Sequence, residues 1–384
     1  MNKVTVLGNA GRRQSNLSKP FSKPMGLPPF PAFLTAVITI LVSAGCQPQL
    51  QPLPTSAPFN RRLAVALAEI EAQDLNVIIA ISHHDGPTQY WEFGTPAADT
   101  VPPELTLVDI NSITKTVTGV MAAKLVQQGN VRFDETLSDI FDNVPADKAE
   151  ITLHQLLTHS AGFRESVGPD PEPINKREFL ARAFESPLES PPGETYQYSN
   201  TGYGIVAAII EVRSGKSYES YLLEDVIAEL GLENTGYSAV YDETRSLRTQ
   251  RGKTIAQASW GHDEPYWNLI GNGGLVSTVE DMIQFRQAVL AGEVISNDML
   301  AIVQTPHMRE VEAGTSFYGY GLVVQDIDGI GQLYWHDGGN QVFSAQWADY
   351  SEHRDLVFTA GTGEDAFKAM GSLETHLYGG ESNR

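Results

Sequence analysis

The sequence predicts an α+β fold: one antiparallel sheet built from both ends of the chain and flanked by helices, with a mainly helical region inserted between its two parts. Three observations lead there. Short apolar, β-rich runs bounded by turn residues occur near residue 80 and again beyond residue 315. The long stretch between them carries apolar residues at helical spacing instead. The strand–helix alternation of a doubly wound sheet is missing, and no internal repeat is visible. With 384 residues, 41% of them hydrophobic, the chain can bury a substantial core.

The first 45 residues read as a signal peptide. They carry Lys3, Arg12, Arg13, Lys19 and Lys23 and no acid, and residues 31–45 are an apolar run too short to span a bilayer. The run ends at Cys46, the single cysteine of the chain. Ser43-Ala44-Gly45 followed by Cys46 resembles a bacterial lipoprotein processing site. The expectation is therefore an exported, cell-envelope protein facing the periplasm or exterior, lipidated on Cys46 and tethered by the Pro- and Gln-rich residues 46–58. An ordinary cleaved signal is the alternative, and Met25 is an alternative start. A lone cysteine leaves no intramolecular disulfide. Beyond the leader the chain holds 21 basic and 47 acidic residues, net −26. That balance excludes a nucleic-acid partner held by phosphate neutralisation.

The main domain is expected over residues 59–378, with a sheet part at about 59–105 and 250–378 and a helical part at about 106–249. Residues 60–75 form an amphipathic helix, 77–82 a strand, 83–86 a turn and 89–93 the returning strand. The turn carries His83 and His84 without a Cys or acid at ligand spacing, so they read as turn residues; neither a metal nor a cofactor is expected. Residues 109–129 read as a helix that Asp109 or Asn111 can cap and Gly129 can stop. Thr152 and Gln155 make a capping box. Helical spacing returns at 203–212 and 218–230, and Ser277 with Glu280 is expected to cap a helix running to about Leu290. Strands are expected at 320–325, 332–335, 342–350 and 356–360, before a last helix at 364–377.

Four stretches could carry chemistry. Ser112 and Lys115 are three apart on the first long helix of the insertion, hence on one face. A lysine amine can take a serine proton once desolvation lowers its pKa. Tyr198-Ser199-Asn200 places a phenol and a carboxamide in a loop; neighbouring cations could drive such a phenol toward phenolate. His336-Asp337-Gly338-Gly339 follows a β run, where glycine admits close backbone approach and a free N–H could complete an oxyanion hole. Strand alternation turns Asp337 away from His336. Thr158-His159-Ser160-Ala161-Gly162 is one residue short of a Gly-x-Ser-x-Gly elbow, making Ser160 a rival nucleophile. Gly271-Asn272-Gly273-Gly274 lacks the lysine of a phosphate loop.

Ser112-x-x-Lys115, Tyr198-x-Asn200 and His336-x-Gly338, in that order, resemble the three motifs of penicillin-recognising serine hydrolases, above all class C β-lactamases, D-alanyl-D-alanine carboxypeptidases, D-aminopeptidases and family VIII esterases. Leu156–Gly162, Pro191–Glu194, Gly231–Gly236 and Gly273–Thr278 also resemble this family, and the similarity covers most of residues 60–375. The resemblance implies the β-lactamase/transpeptidase-like fold and a small-molecule or peptide substrate. It makes Ser112 the acylated nucleophile, Lys115 its activator, Tyr198 the proton shuttle and Asn200 the residue that orients Lys115 and the substrate amide. The N–H groups of Ser112 and Gly339, with Gly338 beside them, would form the oxyanion hole. It also makes Thr158–Gly162 a structural turn. His336 stands where many β-lactamases have lysine, and Asn340-Gln341-Val342-Phe343 lacks the Pro-Gly often found there. The expected activity is therefore ester or amide hydrolysis through an acyl-enzyme, with at most weak β-lactamase action. A non-catalytic envelope binder and an efficient class C-type β-lactamase are the alternatives. Oligomeric state is not legible.

Overall fold

Val77-Ile78-Ile79-Ala80-Ile81 is apolar at every position, the pattern of a strand covered on both faces. It lies second from the edge of an eight-stranded sheet. In the computed structural model, which describes residues 57–94 and 101–379, the elements in chain order are α1 (Phe59–Ala72), β1 (Val77–His83), β2 (Gln89–Phe93), β3 (Val108–Asp109), α2 (Thr114–Gln127), α3 (Leu137–Ile140), α4 (Leu153–Leu157), α5 (Lys176–Glu185), α6 (Asn200–Ser214) and α7 (Tyr218–Tyr221). Then follow β4 (Val276–Ser277), α8 (Val279–Leu290), α9 (Asn297–Val303), β5 (Met308–Arg309), β6 (Ser316–Tyr318), β7 (Val323–Ile327), β8 (Gly331–Gly339), β9 (Phe343–Tyr350), β10 (Asp355–Thr362) and α10 (Asp365–Tyr378). The expected signal, Cys46 and the tether lie outside the described residues, apart from the last two tether residues.

The large sheet runs β2-β1-β10-β9-β8-β7-β6-β5, antiparallel throughout, while β3 and β4 form a separate pair. Both chain ends thus build one sheet, as the sequence predicts. Period-2 alternation divides the cores. Val77, Ile79 and Ile81 pack with α1 and α10 on one face; Ile78 and Ala80 join the larger core containing α2, α6 and α8 on the other. This is the β-lactamase/transpeptidase-like arrangement, helices on both sides of an antiparallel sheet.

Local signals mostly hold. Thr152 and Gln155 form the capping box, and Gly129 follows α2 at φ 77°, a left-handed stop. Two details differ. The cap of α8 is Thr278, one residue later than expected, whose side chain accepts from the Asp281 N–H. The 218–230 helix is regular only over α7 and then becomes irregular short turns.

Candidate active site

Ser112 sits in a single turn, Asn111–Ile113, that leads directly into α2. Asn111 enters it at φ 48°, a conformation that costs a non-glycine residue about 1–2 kcal/mol. Local bonds offset the strain: the Asn111 N–H donates to Asp109 Oδ1 at 2.8 Å, and its Nδ2 to the Asp109 carbonyl at 3.1 Å. Neither residue caps α2 in the usual sense; both shape the turn before it. Ser112 is left half-buried at the positive end of the helix.

Lys115 is fully buried. Its Nζ lies 3.0 Å from Ser112 Oγ and 2.6 Å from the Asn272 carbonyl oxygen. Burial pulls the amine from 10.5 down to about 7, against the opposing pull of the Asp170, Asp337 and Glu165 carboxylates. A lysine at that value is part neutral at physiological pH and can accept the proton of the hydroxyl it touches.

Tyr198 closes the site from another side. Lys115 Nζ is 4.7 Å from its ring centroid, and the phenol lies close enough to Ser112 for the hydroxyl to favour its ionised form. The expectation of a phenolate is corrected here. Burial outweighs the Ser112 hydroxyl and holds the phenol above its ordinary range, helped by the Asp337, Glu165 and Glu310 charges. In the resting site Tyr198 is a protonated acid.

The loop carrying Tyr198 is held by the turn that contains Ser160. His159 adopts φ 56°; its carbonyl accepts from the Gln197 N–H at 2.7 Å and its Nδ1 from the Ser199 N–H at 3.0 Å. Its ring lies 4.5 Å from that of Tyr198 and 4.6 Å from that of Tyr318, centroid to centroid. Burial and the nearby Lys115 and His336 keep His159 well below its usual range, hence neutral. Ser160 is buried and shares a 2.9 Å hydrogen bond with Thr158.

Asn200 opens α6 behind its cap, Ser199, whose Oγ accepts from the Gly202 N–H at 2.9 Å. Its expected bond to Lys115 is not made: Asn200 Oδ1 is buried without a hydrogen bond, and the Asn272 carbonyl takes the place of that partner. Asn200 lines the cleft that also contains Ser112.

The third motif also departs from expectation. His336 is 3% exposed. Its Nδ1 meets the Asp337 carbonyl oxygen and its Nε2 the Tyr318 hydroxyl at 2.9 Å. A carbonyl only accepts, so Nδ1 carries the proton and Nε2 accepts from Tyr318. Both nitrogens are therefore engaged within the protein, and burial holds the ring neutral. His336 is a packing and positioning residue rather than a group facing substrate. Asp337 points to the opposite face of the sheet, as alternation requires. Gly338 has a specific reason to be glycine: a Cβ there would lie 2.6 Å from the Ser112 nitrogen and 2.7 Å from the Ile110 oxygen. β8 is thereby pressed against the Ser112 turn, and Gly339 shares the cleft with Ser112.

Three further residues are not singled out by the sequence. The Asn272 carbonyl holds Lys115. Asp170, on a loop far from the motifs, lines the cleft with Asp109. Asn340 occupies the place of the missing Pro-Gly: its Oδ1 accepts from the N–H groups of Val342 and Phe343 at 2.8 Å each, while its Nδ2 reaches Asn111 Oδ1 at 2.8 Å, Ser259 Oγ at 3.0 Å and Asp109 Oδ2 at 3.2 Å. An asparagine directly after the strand glycines, able to close a turn on itself, was the available signal.

A serine on a helix N-terminus, touched by a buried low-pKa lysine and a phenol and backed by a glycine-bearing antiparallel strand, is the arrangement of the penicillin-recognising serine hydrolases. The family model Beta-lactamase matches residues 67–359, and the chain belongs to that family. Penicillin-binding protein 4* of Bacillus subtilis (strain 168) is 25% identical over 67% of this chain and 61% of its own length. D-alanyl-D-alanine-carboxypeptidase/endopeptidase AmpH of Escherichia coli (strain K12) is 29% identical over 52% of this chain and 53% of its own length. The chain thus spans little more than half the length of these curated relatives. In fold it is similar to a D-amino acid amidase from Ochrobactrum anthropi SV3 (TM-score 0.68, 19% identity, 84% of this chain and 98% of that one).

Proposed function

We propose that this chain forms an acyl-enzyme on Ser112 and hydrolyses a small ester, amide or short peptide whose acyl part is neutral or cationic. The observation that carries this is the 3.0 Å contact between Ser112 Oγ and a Lys115 amine lowered to about 7. Neutral Lys115 takes the Ser112 proton as Oγ attacks the carbonyl; the Ser112 and Gly339 N–H groups hold the oxyanion. Tyr198, protonated at rest, gives its proton to the leaving group, and its phenolate is then stabilised by the Lys115 ammonium beside it. In deacylation that phenolate takes a proton from water, the hydroxide attacks the acyl carbon, and Lys115 returns a proton to Ser112. Every group ends where it began.

The substrate class follows from charge. The cleft is lined by Asp109 and Asp170, and none of its described lining residues is Lys or Arg. With His336 neutral and internally bonded and Lys115 neutral as the base, a substrate carboxylate meets no permanent cation among the described residues that line the cleft. An ammonium-bearing D-amino acid amide, or a neutral ester, suits these charges better than a β-lactam. Export and lipidation on Cys46 belong to the same proposal and rest on the apolar run at residues 31–45. Among the described residues no helix is long and apolar enough to cross a membrane.

The test is a panel of short-chain nitrophenyl esters, D-amino acid amides, D-Ala-D-Ala peptides and a chromogenic cephalosporin, with Ser112→Ala as control. Esters or amides should be turned over, and fluorophosphonate labelling should vanish in Ser112→Ala. Cephalosporin turnover matching that of the esters would overturn the substrate reading, and absence of labelling would favour a non-catalytic binder.

A further inference from the structure

The turns joining β1 to β2 and β9 to β10 bring together three side chains that the sequence leaves far apart. His83 and Asp355 face each other in register across β1 and β10. Consecutive strand residues would point to opposite faces. Here His84 and Asp85 both adopt left-handed φ, 50° and 55°, and the His84 ring returns to within 4.0 Å of the His83 ring, centroid to centroid.

The surroundings fix these groups. Asp355 is 1% exposed. Its Oδ2 accepts from the Tyr378 hydroxyl at 2.9 Å; its Oδ1 lies 2.6 Å from His83 Nδ1 and accepts from the His84 N–H at 3.3 Å. Phe59 stacks on the His83 ring at 3.6 Å and 8°. Each of the three residues offers a ligand atom, and these atoms all lie within 4.8 Å of one another. His84 is exposed, which gives an ion a path from solvent.

We propose that His83, His84 and Asp355 form a binding site for a borderline divalent transition-metal ion, zinc or copper. Two imidazoles with one carboxylate select such ions over magnesium or calcium, which take oxygen ligands. Three protein ligands leave a fourth position for water. Ion–ligand distances of about 2.0–2.2 Å require the ligand atoms to draw closer than the 4.8 Å within which they lie, a movement the exposed His84 side chain can make. The Tyr378 hydroxyl holds the carboxylate from behind, as partners of metal ligands commonly do. The bound ion clamps the end of the sheet where α1 begins, across the same two turns that the Asp85–Arg354 ion pair joins. Ser112 and its partners take no part, so the site stands or falls separately from the hydrolase reading.

The test is calorimetric titration of the untagged, chelator-stripped full chain with zinc near neutral pH, alongside thermal unfolding. The expected result is one zinc per chain and a higher Tm with zinc than without. His84→Ala removes an exposed side chain, leaves the fold intact and should weaken binding at least about tenfold; Tyr378→Phe should weaken it by roughly tenfold while keeping all three ligands. Absence of stoichiometric binding to the wild-type chain, or binding and Tm shift unchanged in His84→Ala, would overturn the site.

Discussion

Among the described residues, two turns carry a serine directly after a non-glycine residue in the left-handed region: Asn111 at φ 48° before Ser112, and His159 at φ 56° before Ser160. Both resemble nucleophile motifs on paper. Ser112 is half-buried at a cleft, 3.0 Å from a buried amine and beside the Tyr198 phenol. Ser160 is 1% exposed and bonded to Thr158, and its turn holds the Tyr198 loop through the backbone and ring of His159. A strained turn alone does not make a nucleophile. What does is a base in a dry environment on one side of the hydroxyl and room for substrate on the other.

Removing each serine hydroxyl in turn tests this contrast most strongly. Ser112→Ala should lower kcat/KM by about 10⁴ or more. Ser160→Ala should keep kcat/KM within a few-fold and cost about 1 kcal/mol of stability from the lost buried hydrogen bond. Steady-state kinetics and denaturant unfolding on both variants read the difference; equal losses of activity would erase it.

The next largest effect belongs to Lys115. In the proposed mechanism its neutral form is the base, so kcat/KM should rise with pH through about 7 and level off above it. Lys115→Met should remove that limb and lower kcat/KM by roughly 10²–10⁴. The same shift has a sign for stability. The folded-state pKa lies below the unfolded one, so between about 7 and 10.5 the unfolded chain binds more protons at this residue, and unfolding free energy gains from rising pH. Below about 7 the full penalty of a buried ammonium applies. Lys115→Met should therefore raise Tm most at pH 6 and progressively less toward pH 9, which thermal scans across that range can check.

How much of this is readable without coordinates depends on distance along the chain. Ser112 and Lys115 meet because three residues of helix bring them together, and the Asp109–Gly129 pattern announces that helix. Strand alternation is enough to turn Asp337 away from His336. The Asn272 carbonyl, Asp170 and the Tyr318 hydroxyl reach the site through tertiary packing and carry no local signal. The motif alone sets His336 toward substrate, because a motif gives order and spacing but not which groups the ring meets. The acid that His83 meets, Asp355, arrives through strand register across the sheet, so the sequence around the histidine pair does not announce it.

Gly338 couples the third motif to the first, so changing it probes the Ser112 turn from the other side. In Gly338→Ala the new methyl meets the backbone of Ile110 and Ser112, neither of which can rotate away as a side chain could. Overpacking of this kind costs about 1–3 kcal/mol, and an ångström of displacement at the nucleophile costs about 10² in rate. kcat should fall by about that factor while fluorophosphonate labelling slows rather than disappears. Activity near wild type would mean that β8 and the turn are less tightly opposed than the 2.6 Å approach implies.

The smallest expected effect is at Asn340, and it separates the two turns most finely. The Ser112 turn is braced from outside by this side chain, whose Nδ2 reaches Asn111, Asp109 and Ser259; the Ser160 turn is held mainly by its own backbone contacts. Asn340→Ala removes the brace and releases the N–H groups of Val342 and Phe343, yet leaves Ser112, Lys115 and Tyr198 chemically intact. The loss should therefore fall on kcat, by about tenfold, with KM little changed, since the reacting groups remain but are held less well. Asn340→Asp keeps the acceptor for the two N–H groups and places a carboxylate against Asp109, whose own carboxyl burial already raises to about 6. If the brace matters through geometry, this substitution should recover the hairpin but not the rate near neutral pH. Its activity should return as pH falls toward 6 and one of the two carboxylates takes up a proton. That gain runs against the falling acid limb set by Lys115, so the ratio of Asn340→Asp to wild-type activity across pH, rather than either profile alone, carries the answer.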